Sequence, residues 1–65
     1  MNRITVFIEN SQWMARYTGE DSSEITRLFG TDTIPTAFLA RATATHVRLE
    51  IARLNPGWDV VIATA

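Results

Sequence analysis

Cysteine and lysine are absent, histidine occurs once, and no run of apolar residues exceeds four, as in Val60-Val61-Ile62-Ala63. Each absence removes a class. Without cysteine there is no disulfide framework and no thiolate zinc site. Without an apolar stretch of about 20 residues there is no helical membrane span. The opening residues, Met1-Asn2-Arg3-Ile4, run into an alternating pattern instead of the apolar core of a signal peptide, so the expected setting is cytoplasmic, away from membranes. The three glycines, Gly19, Gly30 and Gly57, stand alone and match no phosphate-cradling loop. Six arginines against seven acidic residues leave a net charge of −1, neither a basic nucleic-acid clamp nor an acidic mimic of one.

What remains is a globular composition in 65 residues, with 46% hydrophobic and 20% charged side chains. One domain, residues 1–65, is the expectation. A chain this short buries only about 60% of its unfolded surface, so its core alone supplies only about 3–5 kcal/mol. With neither metal nor disulfide to add to that, sharing a core between copies is the natural supplement.

Residues 3–18 alternate as a hairpin. With Asn10-Ser11 as a two-residue turn, Ile4 faces Tyr17, Val6 faces Ala15 and Ile8 faces Trp13, all on one side. The other side then carries Arg3, Thr5, Phe7, Glu9, Gln12, Met14, Arg16 and Thr18. Residues 21–30 read as a short helix, with Asp21 or Ser22 as cap, Glu24 near capping-box spacing, an Ile25, Leu28, Phe29 stripe and a terminating Gly30. Thr31 to Thr36 reads as a loop, and residues 36–40 as either a strand or its continuation. Thr43 starts the main helix, whose Ala44, Val47, Ile51 and Leu54 form the buried stripe and which Asn55-Pro56-Gly57 stops. Trp58, Val60 and Ile62 then share one side of a final strand, with Val61 on the other. The expected fold is an α+β two-layer sandwich of order ββα(β)αβ, with the last strand parallel to and beside the first.

Little here supports catalysis. The single His46 has only Glu50 nearby on its helix, and both are expected to face solvent. No set of three or four convergent metal ligands is present in the sequence pattern. The expectation is a non-enzymatic protein with no catalytic residue, metal or cofactor. The densest polar run holds Thr31, Asp32, Thr33 and Thr36, a candidate ligand loop whose ordinary use is turn chemistry. The second face of the hairpin is the better candidate. Phe7 and Met14 form a cross-strand pair flanked by Arg3 and Arg16, and Val61 joins them if the last strand lies beside the first. Apolar side chains on a bare sheet face mark contact surfaces. Homodimerisation through Phe7, Met14, Arg3, Arg16 and Val61 is the leading expectation, ahead of a different protein partner. Nucleic-acid binding through the same face is the alternative, against which the charge balance argues.

If residues 36–40 form a strand, the order becomes three strands, the Thr43–Leu54 helix and a final strand. That outline, with its alternating N-terminal hairpin, resembles the HicB-like antitoxin fold. The resemblance implies a small bacterial or phage regulatory module that binds a protein partner and is not catalytic. It lies in the order of elements and gives no individual residue a role.

Overall fold

The structure, a computed structural model, describes residues 1–63. Six elements follow one another: β1 (Arg3–Glu9), β2 (Gln12–Thr18), α1 (Ser22–Phe29), β3 (Thr33–Leu39), α2 (Ala44–Leu54) and β4 (Asp59–Ile62). They build the α+β sandwich expected from the pattern. One mixed sheet of four strands, in the order β3-β2-β1-β4, carries both helices on one face.

The hairpin folds in the register that its alternation dictates. Ile4 pairs with Tyr17, Val6 with Ala15, Phe7 with Met14 and Ile8 with Trp13. Asn10 and Ser11 have φ of 53° and 63°. Two positive values in succession give the turn whose twist matches that of the flanking strands, and Asn tolerates this conformation best after glycine. β1 lies at the centre, antiparallel to β2 and parallel to β4, with Arg3 beside Asp59 and Val6 beside Ile62.

The core follows from that placement. Ile4 and Val6 on β1 are fully buried, as is Val47 on α2. Trp13, Ala15, Tyr17, Ile51 and Val60 complete the cluster, with Ile25, Ile34, Phe38, Trp58 and Ile62 packed around it. The Trp13 indole N–H donates to the Ala42 carbonyl at 3.0 Å, and the Tyr17 and Trp58 rings meet edge to face at 5.2 Å. A buried indole N–H needs such a partner, and this one ties β2 to the start of α2.

Several local details differ from the sequence reading. Ile8 belongs to the core side by register but is 50% exposed, although Trp13 opposite it is buried. Of the α1 stripe only Ile25 reaches the core; Leu28 and Phe29 are 63% and 58% exposed. The capping box does not form. Asp21 instead accepts from Asn2 Nδ2 at 2.7 Å, while its own N–H donates to Asn2 Oδ1 at 2.9 Å. This pair lashes the start of α1 to the start of β1. Gly19, at φ 115°, makes the close approach possible, since a Cβ there would collide with the Met1 carbonyl and the Asn2 Cα. The end of α1 is as expected, with Gly30 in the left-handed conformation. At the end of α2, Asn55 does not take the left-handed conformation that asparagine readily adopts after a helix (φ −129°). Its side chain caps instead, donating to the Ile51 carbonyl at 2.9 Å, and Gly57 takes the positive φ. Thr43 caps the other end, its hydroxyl accepting from the His46 N–H at 3.3 Å.

The uncertain segment is a strand and starts early. β3 begins at Thr33, so most of the expected loop is sheet. Met14 pairs with Pro35 but Gln12 pairs with Leu39, which leaves three residues of β3 opposite Trp13 alone. The Thr36 hydroxyl spans this bulge, donating to the Trp13 carbonyl at 2.8 Å and accepting from the Phe38 N–H at 3.1 Å. Gln12 Nε2 adds a bond to the Thr36 carbonyl at 2.9 Å. A bulge re-aims the side chains that follow it. Here it turns Phe38 inward, where it meets the His46 ring edge to face at 5.4 Å.

Candidate interaction face

Both helices bury their apolar residues against one side of the sheet, so among the described residues the other side has no covering layer. Its composition follows from strand alternation. β1 contributes Arg3, Thr5, Phe7 and Glu9; β2 contributes Gln12, Met14, Arg16 and Thr18; β4 contributes Asp59 and Val61. The five residues singled out from the sequence, Phe7, Met14, Arg3, Arg16 and Val61, therefore lie on this one face. β3 extends it with Thr33 beside Arg16, Pro35 beside Met14 and Leu39 beside Gln12.

The apolar residues form a connected patch. Pro35, Met14 and Phe7 occupy one row across three strands, and Val61 sits one row below, across Thr5 from Arg16. Phe7, Met14 and Val61 are half-buried, and Leu39 at the corner is 54% exposed. The Arg16 guanidinium lies over the Phe7 ring, 4.9 Å from its centroid. A guanidinium over an aromatic face is an attractive contact, and it couples the two side chains within the patch.

Charge sits at the margins. Arg3 Nε reaches Asp59 Oδ2 at 3.2 Å at one end of the sheet. Glu9 stands at the other end and has no cation against it among the described residues. Arg16 likewise has no carboxylate partner among the described residues, only the ring beneath it.

The polar run at 31–36 has a different character. The Thr31 hydroxyl accepts from the Thr33 N–H at 3.2 Å, the Thr33 hydroxyl donates to Asp32 at 2.9 Å, and Thr36 staples the bulge. Thr33 and Thr36 belong to β3, and the hydroxyl groups serve the chain's own backbone and one carboxylate. His46 is exposed against Phe38. Glu50 is held below the usual carboxylate range first by hydrogen bonding from Arg53 and then by that residue's charge, with His46 a minor contributor. Among the described residues no three His, Cys, Asp or Glu side chains cluster as metal ligands, and no helix is long and apolar enough to cross a membrane.

Sequence reasoning missed the β3 contribution of Pro35 and Leu39, because the proline disguised the strand. The alternation Thr33, Pro35 against Ile34, Thr36 was the available signal. It also passed over Glu9, whose importance depends on what faces it. The chain matches no family model, no curated protein and no solved structure, so the interaction face is read from its own residues.

Proposed function

We propose that this chain is a non-enzymatic protein-interaction module that works as a homodimer through the open face of its sheet. One observation carries the reading: Phe7, Met14, Pro35 and Val61 form a continuous apolar patch on a sheet face that no part of the described chain covers. An antiparallel or mixed sheet in water ordinarily presents polar residues on its free face. Apolar residues there gain about 25 cal/mol per Å² when a partner covers them. The small core makes that gain matter, since association with a second copy adds directly to the stability of the fold.

Nucleic-acid binding through the same face has less support. The net charge of −1 offers no clustered cations to the phosphates, and Phe7 is the one aromatic ring that the described strands place on this face.

Sedimentation velocity over a concentration series tests the reading. A concentration-dependent shift from monomer to dimer is expected, and Phe7→Ser or Met14→Ser should abolish it while leaving the circular dichroism of the fold unchanged. A parent chain that stays monomeric at the highest concentrations refutes it. So does a dimer that survives both substitutions.

A further inference from the structure

The margins of the open face carry an arrangement of charge that selects one way for two copies to meet. Arg3 and Glu9 are both on β1, both on the open face, and each is three residues from Val6. At about 3.3 Å per residue they are about 20 Å apart, at opposite ends of the strand. Arg16, Met14 and Phe7 lie between them, and Glu9 has no cation of its own among the described residues.

We infer that two copies stack sheet against sheet, related by a two-fold axis that crosses β1 at Val6 at right angles to the strands. This rests on the homodimer reading and gives it a geometry. Such an axis sends each Arg3 onto the partner's Glu9 and each Glu9 onto the partner's Arg3, closing two identical ion pairs around the apolar patch. Phe7 and Met14 then sit over the Thr5 and Arg16 rows of the other copy, so aromatic and thioether groups pack on a methyl and an aliphatic stem. An axis along the strands instead sets Glu9 against Gln12 and Arg3 against Thr18, by the hairpin register, and leaves the carboxylate unpaired. An axis along the strands between β1 and β4 would set each Arg3 on the partner's Asp59, a residue type Arg3 already meets in its own chain. The crossing axis alone gives Glu9 a cation while keeping the self-complementarity that a two-fold interface requires.

The size of the face sets the expected strength. Three strands of seven residues and one of four, about 4.8 Å apart and about 3.3 Å per residue, give a footprint of about 400 Å² per copy, and side-chain relief brings the total burial to about 1,000 Å². That is the lower end of specific interfaces. The dimer is therefore weak and reversible, and its margin charges set its register.

Charge reversal in separate chains tests the geometry. Glu9→Arg alone faces two cations with two cations, and Arg3→Glu alone faces carboxylates with carboxylates. Each should weaken self-association by at least about fivefold. Mixed together, the two variants restore both ion pairs, and a heterodimer at about the parent's affinity is expected. The parent's own association should weaken as sodium chloride rises through the range where the screening length falls below about 10 Å. Because Arg3 also pairs with Asp59, the Arg3→Glu variant is checked for its fold by circular dichroism; if it is unfolded, the salt series and Glu9→Arg decide alone. Variants that self-associate as strongly as the parent, or a parent dimer indifferent to salt, overturn this geometry while leaving the homodimer intact. A monomeric parent overturns the homodimer reading itself.

Discussion

Tyr17 is the only tyrosine in the chain, and it is buried with its ring edge on Trp58. Burial raises its pKa above the usual value for a phenol, and a hydrogen bond from the Asn55 side chain partly opposes this. A raised folded-state value means that the native state favours the neutral phenol. The associated stability is fully present below about pH 10, the unfolded value, and is lost as the pH climbs through the folded one. The ultraviolet difference signal of tyrosinate therefore reports a single residue. Its onset should come at higher pH in the native chain than in urea, and coincident titrations would show that Tyr17 is not held in the core. Residue-level substitutions in β1 should be equally direct. Ile4 and Val6 are both fully buried on the central strand, which leaves neither able to shrink without opening a void.

Among the elements, β3 shows how few side chains hold an edge in place. Thr36 supplies two of the bonds that close its bulge. Thr36→Val keeps the branched shape but removes the hydroxyl, and should destabilise the fold by about 1–2 kcal/mol. Thr31→Val, by contrast, loses one exposed bond and should change stability by a few tenths at most. Denaturant midpoints of the two variants measure the difference, and amide exchange at Phe38 should quicken only in the first. The hairpin was legible in the sequence because period-two alternation and a two-residue turn fix register locally. The ends of α2 were half legible: Thr43 caps as its residue type suggests, whereas Asn55 caps with its side chain instead of its backbone. The exposure of Leu28 and Phe29 was not legible. An apolar stripe shows which side of a helix is oily, but not whether the sheet extends far enough to meet it. The bulge was hidden for a similar reason, because Thr36 bonds across 23 residues to Trp13.

The whole molecule has a closed side and an open one. Strand pairing and helix periodicity placed the buried Ile4, Val6, Trp13, Ala15, Tyr17, Val47, Ile51 and Val60. Leu54, expected in the α2 stripe, is instead 62% exposed, and Phe38 reaches the core only through the bulge. The five residues of the open side followed from the same pairing. Arg3 and Glu9 were both legible on that face; what could not be read was which of them would find a partner within the chain, Arg3 meeting Asp59 while Glu9 meets no cation among the described residues. At this scale the homodimer predicts that thermal stability depends on concentration. A tenfold increase in protein above the dissociation constant should raise the melting temperature by a few degrees, because only the native state associates. A melting temperature that does not move over a hundredfold range, in a chain this small, would mean that the core suffices by itself.

The parallel pairing of β1 with β4 has a consequence for how the chain is made. β1 is translated before the other described strands and β4 after them, and Arg3 meets Asp59 across 56 residues. Until β4 arrives, β1 has one bare edge and its Ile4 and Val6 lack the Val60 wall of the core. The hairpin can form early, but the sheet can be sealed only after β4 has been synthesised. During that interval the newborn protein presents an unpaired, β-branched strand to its surroundings, and its vulnerability to misassembly is concentrated there.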